Sequence, residues 1–431
     1  MGLAWDVNGD GRLAVRSSYG LGYDFQSASY LFISATAPPY ANRLRVTQFP
    51  GGFDDPYRDY PGGPPHPVPE TPGPDTQFPA YGALASVDPD NNSTRAQTWN
   101  VTVERQLGAV WQTSASYLGS YTDRMWGQMQ VNPGVFLGLG PCTLNGVAYP
   151  TCTTQANLNQ RRKLSLENPQ ASRLIGSVEE HRAIGTQSYH ALRLSMQRRA
   201  AQGVSLSGNY TRSYCVGNDA QTTFFVGGTG FMNPDDPSYD RGNCTYSRRH
   251  IVNLTVGVAT PQFTNPTLRV VASDWRVSGI LNARSGAWIT VTTARDISAT
   301  GITGAGLNGQ RVDQVLSNPY GDKTLNNYLN PAAFAYPAPG QFGTHVRNSI
   351  EGPAYWTIDM ALSRILPLGA TQNVELRVET FNLLNHFNWG NPTGGTNAQG
   401  TFANFDSASF GQITTQAGTP RIFQFGIRYG F

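Results

Sequence analysis

No stretch of this sequence reaches the roughly 18 consecutive apolar residues that a membrane-spanning helix requires, and its mean hydropathy is −0.36. That excludes spanning by helices only. A spanning β-strand needs about 9–11 residues and offers lipid an apolar side chain at every second position, which averages to a polar-looking segment. Charge is scarce as well: 14% of residues are charged and the formal net charge is +3. No run of Lys or Arg suggests a nucleic-acid groove, so nucleic acid is excluded as a partner.

There are only four cysteines, Cys142, Cys152, Cys215 and Cys244. They lie two by two in polar segments, a layout suited to disulfides Cys142 to Cys152 and Cys215 to Cys244 in an oxidising compartment. No Cys-x-x-Cys or paired His accompanies them, and zinc is the weaker reading. His190, His250, His345 and His386 are scattered without ligand spacing. Gly-x-Ser-x-Gly and His-Glu-x-x-His are missing, so neither catalysis nor a cofactor is expected. The opening Met1-Gly2-Leu3-Ala4-Trp5 carries no basic region followed by an apolar core, so no signal peptide is expected here.

What the sequence does have is Gly 47, Tyr 20, Phe 20 and Trp 8, a chain rich in turns and aromatics that favours β structure. Its hydrophobicity alternates with period two. Phe423, Phe425, Ile427, Tyr429 and Phe431 fall on one face of the last segment, and Gln424, Gly426, Arg428 and Gly430 on the other. The same alternation marks Trp99–Glu104, Val204–Tyr210, Val252–Val256, Trp356–Met360 and Val374–Glu379. Strands are predicted near 12–23, 97–107, 110–121, 188–198, 203–213, 249–259, 272–284, 355–365, 372–382 and 421–431, with Leu3 to Trp5 the tail of an earlier one.

The intervening connections alternate strictly between short and long. Those around 7–11, 108, 200–202, 261–266 and 366–371 are short, whereas 24–96, 122–187, 214–248, 285–354 and 383–420 are long and rich in Pro, Gly and Asn. Outer-membrane barrels sort their connections this way, into tight periplasmic turns and extended extracellular loops. Structureless loops of such length would be anomalous inside a compact soluble domain. The expected fold is therefore all-β: an antiparallel transmembrane β-barrel, partial, of about 10–11 strands. Opening on a fragment of a strand, the chain reads as truncated, with strands nearer the N-terminus expected to close the sheet.

Several constellations have both a functional and a plain reading. Asp6-x-Asn8-x-Asp10-Gly11 has the first ligands of a calcium loop, but Ser17 stands at the twelfth position where a bidentate Glu is needed. A tight turn is the better reading. Arg276, Arg284, Asp359, Glu375, Arg377, Glu379 and Arg428 fall on the polar face of their strands. In a barrel that face lines the lumen, where they meet solute or plug, or else form an ion-paired, solvated wall. Tyr57, Tyr60, Phe224, Phe225 and Phe231 are loop aromatics that either cap a solute entry or pack the loops together.

Motifs in family order support a more specific resemblance. Val346–Pro353, Ile358–Arg364, Arg377–His386 (an RxExFNLLNH stretch), Ser409–Ile413 with Pro420-Arg421, Arg248–His250, Trp275–Gly279 with Ser285-Gly286, Trp5–Gly11 and Trp99–Val101 together resemble the barrel of Oar-like TonB-dependent transporters. The resemblance covers essentially the whole chain. It implies a barrel of about 22 strands, with a plug and an energy-coupling box nearer the N-terminus, neither of which is visible in these residues. The C-terminal Phe431, with Tyr429 and Ile427 at alternate positions before it, resembles the signal read by the barrel-assembly machinery.

The implied partners are outer-membrane lipid, that machinery, a bulky solute and, through the N-terminal part not present here, the TonB system. The implied location is the bacterial outer membrane. Two rivals are a plugless porin-like or surface-adhesion barrel and a secreted carbohydrate-binding β-protein.

Overall fold

A computed structural model describes residues 1–25, 52–55, 58, 80–218, 230–302, 309–369, 371–393 and 402–431. Eleven strands follow one another as an antiparallel meander: β1 Gly2–Asp6, β2 Leu13–Tyr23, β3 Arg95–Leu107, β4 Trp111–Gln130, β5 Ile175–Ala201 and β6 Val204–Gly217. The series continues with β7 His250–Ala259, β8 Trp275–Arg284, β9 Tyr355–Pro367, β10 Asn373–Phe381 and β11 Ile422–Gly430. Each strand pairs with its sequence neighbours, and among the described residues no pairing joins β11 to β1.

The register explains why period two dominates. Leu194 lies opposite Tyr210, Tyr210 opposite Val252, Val252 opposite Ala283 and Ala283 opposite Trp356. A second row runs Leu254, Leu281, Ile358, and Leu376 and Val378 face Ile427 and Phe425. Because alternate side chains project to opposite faces, these registers join the apolar positions of all eleven strands into one continuous surface. That surface is uncovered: Phe425 is 75% and Ile427 79% exposed.

Tight turns close one end of the sheet. Between β1 and β2 the Asp6 carboxylate accepts hydrogen bonds from the Gly9 and Gly11 amides at 3.0 and 2.8 Å, and both glycines have positive φ. Asp6 is thus an internal acceptor of the turn, which favours the turn reading of Asp6–Gly11 over calcium. Between β5 and β6, Gly203 has φ +74°, and a Cβ there would fall 2.2 Å from the Ala259 carbonyl oxygen. Only glycine fits that corner.

Three expectations need correction. The strand predicted from 272 begins at Trp275, because 266–272 is a short helix. Pro266 suits its first turn, and the Asn265 side chain accepts from the Thr267 and Leu268 amides, an N-cap that alternation cannot register. Second, β4 and β5 run well past 110–121 and 188–198 into the adjoining long connection, where Gly82–Val87 adds to β5 in parallel. These extensions carry buried polar residues, Gln128 and Gln130 on β4 and Glu179 and His181 on β5, so hydrophobicity gives no alternation to read.

Third, the long connections are not structureless. Trp288–Thr293 pairs with Ile350–Glu351, with Gln310–Arg311 and, in parallel, with Phe402–Asn404. The hydrophobic core of the described residues lies here and not in the sheet. Ile289, Val291, Val312, Leu329, Phe334, Ile350 and Phe410 are all buried together.

Candidate functional site: a polar wall under a folded cap

The polar face of the sheet is the first half of the site. All seven charged candidates lie on it by register. Glu375 stands directly opposite Arg428, and Arg377 pairs with Glu379 two residues along the same face at 2.6 Å. Arg276 stands opposite Ser363, the Asp359 carboxylate accepts from the Asn382 amide at 2.8 Å, and the Arg284 guanidinium lies over the Tyr355 ring, 4.6 Å from its centre.

These residues do not converge. Arg276 and Arg284 sit at opposite ends of β8, and Glu375 and Arg428 lie near the short-turn end. What the register assembles instead is a wall of hydroxyls and amides that sequence reasoning did not single out. Thr102 bonds Ser116 at 2.9 Å, Asn253 bonds Asn209 at 3.2 Å, and Arg16 pairs with Glu104 at 3.4 Å. A groove of about 210 Å³ runs along this wall, lined by Ser114, Arg193, Ser195, Gln197, Ser207 and Asn209 among others. The polar positions of the alternation carried that signal, but only the pairing shows which of them are neighbours.

The cap at the long-connection end is the second half. Four separate connections interlock there. Phe334 meets Phe410 edge to face at 5.6 Å, with Phe405 against Phe410 at 5.1 Å, joining 285–354 to 382–421. Asp240, from 218–249, pairs with Arg311 at 2.6 Å; both are buried, and the guanidinium lies 3.5 Å from the centre of the Tyr239 ring. The 131–174 connection is latched by Gly134, whose amide donates to the Thr300 carbonyl at 2.8 Å, and by the Arg161 guanidinium on the Ala299 carbonyl.

Burial sets the protonation of this cap. Desolvation, with the neighbouring Arg161 charge adding to it, lowers Arg162 to about 10, so the guanidinium keeps its proton at neutral pH. His345 is buried, with Nδ1 3.1 Å from the Gln314 side-chain oxygen and Nε2 without a partner among the described residues. Desolvation first and the Arg311 charge second lower its pKa to about 4, so it is neutral at pH 7.

The cysteines brace the same region: Cys142 is joined to Cys152 and Cys215 to Cys244. Of the loop aromatics, Phe231 is fully buried and packs the cap, whereas Tyr57, Tyr60, Phe224 and Phe225 lie outside the described residues. Three histidines that looked scattered each meet an aromatic on the apolar side of the sheet. Tyr117 Oη lies 2.8 Å from His190 Nδ1, Tyr210 Oη lies 2.7 Å from His250 Nδ1, and His386 stacks on Trp356 at 4.1 Å.

An uncovered apolar face, a polar opposite face and a folded cap at one end describe a membrane barrel wall. Comparison with known proteins agrees. The profile of the family described as "outer membrane beta barrel domain" matches residues 1–424, while no curated protein matches the sequence. Among solved structures the whole chain aligns with the outer membrane transporter YddB from Escherichia coli at TM-score 0.50 and 10% identity, covering 40% of that chain. It also aligns with the FrpB iron transporter from Neisseria meningitidis (TM-score 0.40, 12% identity, 38% of that chain) and the ferripyoverdine receptor of Pseudomonas aeruginosa (0.43, 10%, 32%). The chain therefore spans 40% or less of the length of these structures.

Proposed function

The chain belongs to the outer membrane beta barrel domain family and resides in the bacterial outer membrane, and from that premise we propose that it forms part of the barrel of a TonB-dependent transporter that passes a bulky solute. The carrying observation is the segregation of surfaces. One face of eleven strands is apolar and uncovered, as lipid requires; the other is a wall of hydroxyls, amides and ion pairs; and the packed core is confined to one end.

In this reading the tight turns face the periplasm and the cap faces outward. The cap captures solute, and the polar wall guides it past a plug supplied by residues outside 1–431. The fold shared with the outer membrane transporter YddB supports a large barrel, of about 22 strands in transporters of this kind. Energy would reach the plug from the inner membrane through TonB. No covalent step is required of any residue described.

Conductance tests the reading. Reconstituted in a planar bilayer, the full-length protein should show no open pore until its plug is removed or unfolded. A stable large conductance in the untreated protein would instead identify the plugless porin-like barrel. Recovery of the protein in a wash without detergent would remove the membrane reading and leave the secreted carbohydrate-binding alternative.

A further inference from the structure

The apolar face ends, toward the cap, in a row that hydrocarbon cannot satisfy. On β5 the outward position after Leu192 is His190, on β6 the position after Tyr210 is Arg212 and then Tyr214, and on β7 the position before Val252 is His250. The register sets them side by side: His190 opposite Tyr214, and Arg212 opposite both Leu192 and His250. All four side chains are exposed.

Each is held in place. Arg212 Nη2 donates to Tyr214 Oη at 2.5 Å, and the Arg249 guanidinium lies 3.8 Å from the centre of the Tyr214 ring. Behind the row, Cys215 is joined to Cys244, and the Ser213 amide and hydroxyl donate to the Arg249 and Arg248 carbonyls at 3.0 and 2.7 Å. These bonds fix the approach to β7, so that Arg249 stays over Tyr214. Among the described residues neither Arg212 nor Arg249 has a carboxylate partner. The Tyr117 and Tyr210 hydroxyls occupy Nδ1 of His190 and His250. When each tyrosine donates, the ring proton sits on Nε2, which has no partner among the described residues.

We propose that this row binds the phosphate of a lipid in the outer leaflet. The exposed Arg212 guanidinium presents a planar fork that matches phosphate oxygens; the half-buried Arg249 guanidinium, which keeps Nη1 on the Ser213 carbonyl at 3.4 Å, adds a second positive charge beside it, and two imidazole N–H groups stand within the same row. Directly below lie Leu192, Leu194, Val252 and Leu254, continuous with the lipid-facing surface, so a headgroup bound above sets its acyl chains against aliphatic side chains. A soluble anion would use the cations and leave that continuity unexplained. The ligand is accordingly an amphiphile, a phosphorylated glycolipid.

The inference rests on the proposed orientation, with the cap outward, and the two can be tested apart. The full-length protein carrying Val346→Cys, exposed in the cap, should react with an impermeant maleimide on intact cells. Failure to label would refute the orientation whatever the lipid result. For the site, wild-type and Arg212→Gln/Arg249→Gln proteins are purified from the outer membrane, exchanged into nanodiscs of phosphatidylcholine with or without bisphosphorylated lipid A, and the retained lipid is counted by native mass spectrometry.

Wild type should retain lipid A preferentially, and the double variant should lose about tenfold in retention, as expected for removal of charge-assisted phosphate contacts. Arg212→Lys should recover part of it, and millimolar inorganic phosphate should not compete. Equal retention by wild type and a double variant that still shows heat-modifiable mobility would overturn the proposal. So would displacement by free phosphate.

Discussion

Single side chains report which face meets which medium. Ile427 belongs to the apolar surface and Gln424 to the polar wall, three residues apart on the same strand. Arginine at 427 should cost about 2–4 kcal/mol if the position lies near mid-bilayer, whereas arginine at 424 adds a charge to a wall that already holds Arg377 and Arg428 and should cost far less. Refolding into bilayers under urea measures both, and equal costs would contradict the assigned faces. A second residue test concerns the cap. Asp240 and Arg311 are paired and buried, so Asp240→Ala leaves a guanidinium without its counter-charge in a desolvated site and should destabilise the cap by about 3–5 kcal/mol. Limited proteolysis across 230–247 and 309–352 would detect the loss as new cleavage, with the sheet still inserted.

At the scale of elements, the pH response of the cap follows from His345. Its folded pKa, about 4, lies below the ordinary value of 6.5, so between those values the unfolded cap binds the proton and the folded one does not. Stability is complete above about pH 6.5 and falls as pH drops toward 4, by an amount on the order of 3 kcal/mol when the loss is complete. Protease resistance of the cap should therefore decline from pH 7 to pH 5, and His345→Gln, which cannot take up the proton, should flatten that decline. A cap equally resistant at both pH values in the wild type would show that His345 is not buried as described.

The sheet and the cap also differ in how far the sequence disclosed them. β7 and β11 were legible because each alternates over a full strand and register then fixes the face. The outer parts of β4 and β5 were not, since Gln128, Gln130, Glu179 and His181 are polar and buried at once. The cap was hidden for another reason: Ile289, Val312, Leu329, Phe334 and Ile350 sit in strands of a few residues or beside them, too short for any period, and find one another across long separations. Pairs such as Tyr117 with His190, 73 residues apart, become neighbours only once β4 lies beside β5.

The whole molecule poses the question of edges. Within the described residues β1 and β11 each pair on one side only, so each exposes a row of unpaired amides and carbonyls. In hydrocarbon every such group costs several kcal/mol, and flanking apolar side chains do nothing to satisfy it. The uncovered face of β11, with Phe423, Phe425, Ile427 and Tyr429 all exposed, makes retreat into water equally unfavourable. The sheet is stable in a membrane only when both edges are paired. Residues 1–431 expressed alone should then fail to give a heat-modifiable monomer in bilayers, and should instead aggregate through β11 or pair edge to edge with another copy. Replacing Gln424 and Gly426 by proline, which removes backbone donors from β11, should reduce that self-association. A stable, heat-modifiable monomer formed by 1–431 alone would mean that β11 and β1 can close on each other, and the barrel would then be a small one complete in eleven strands.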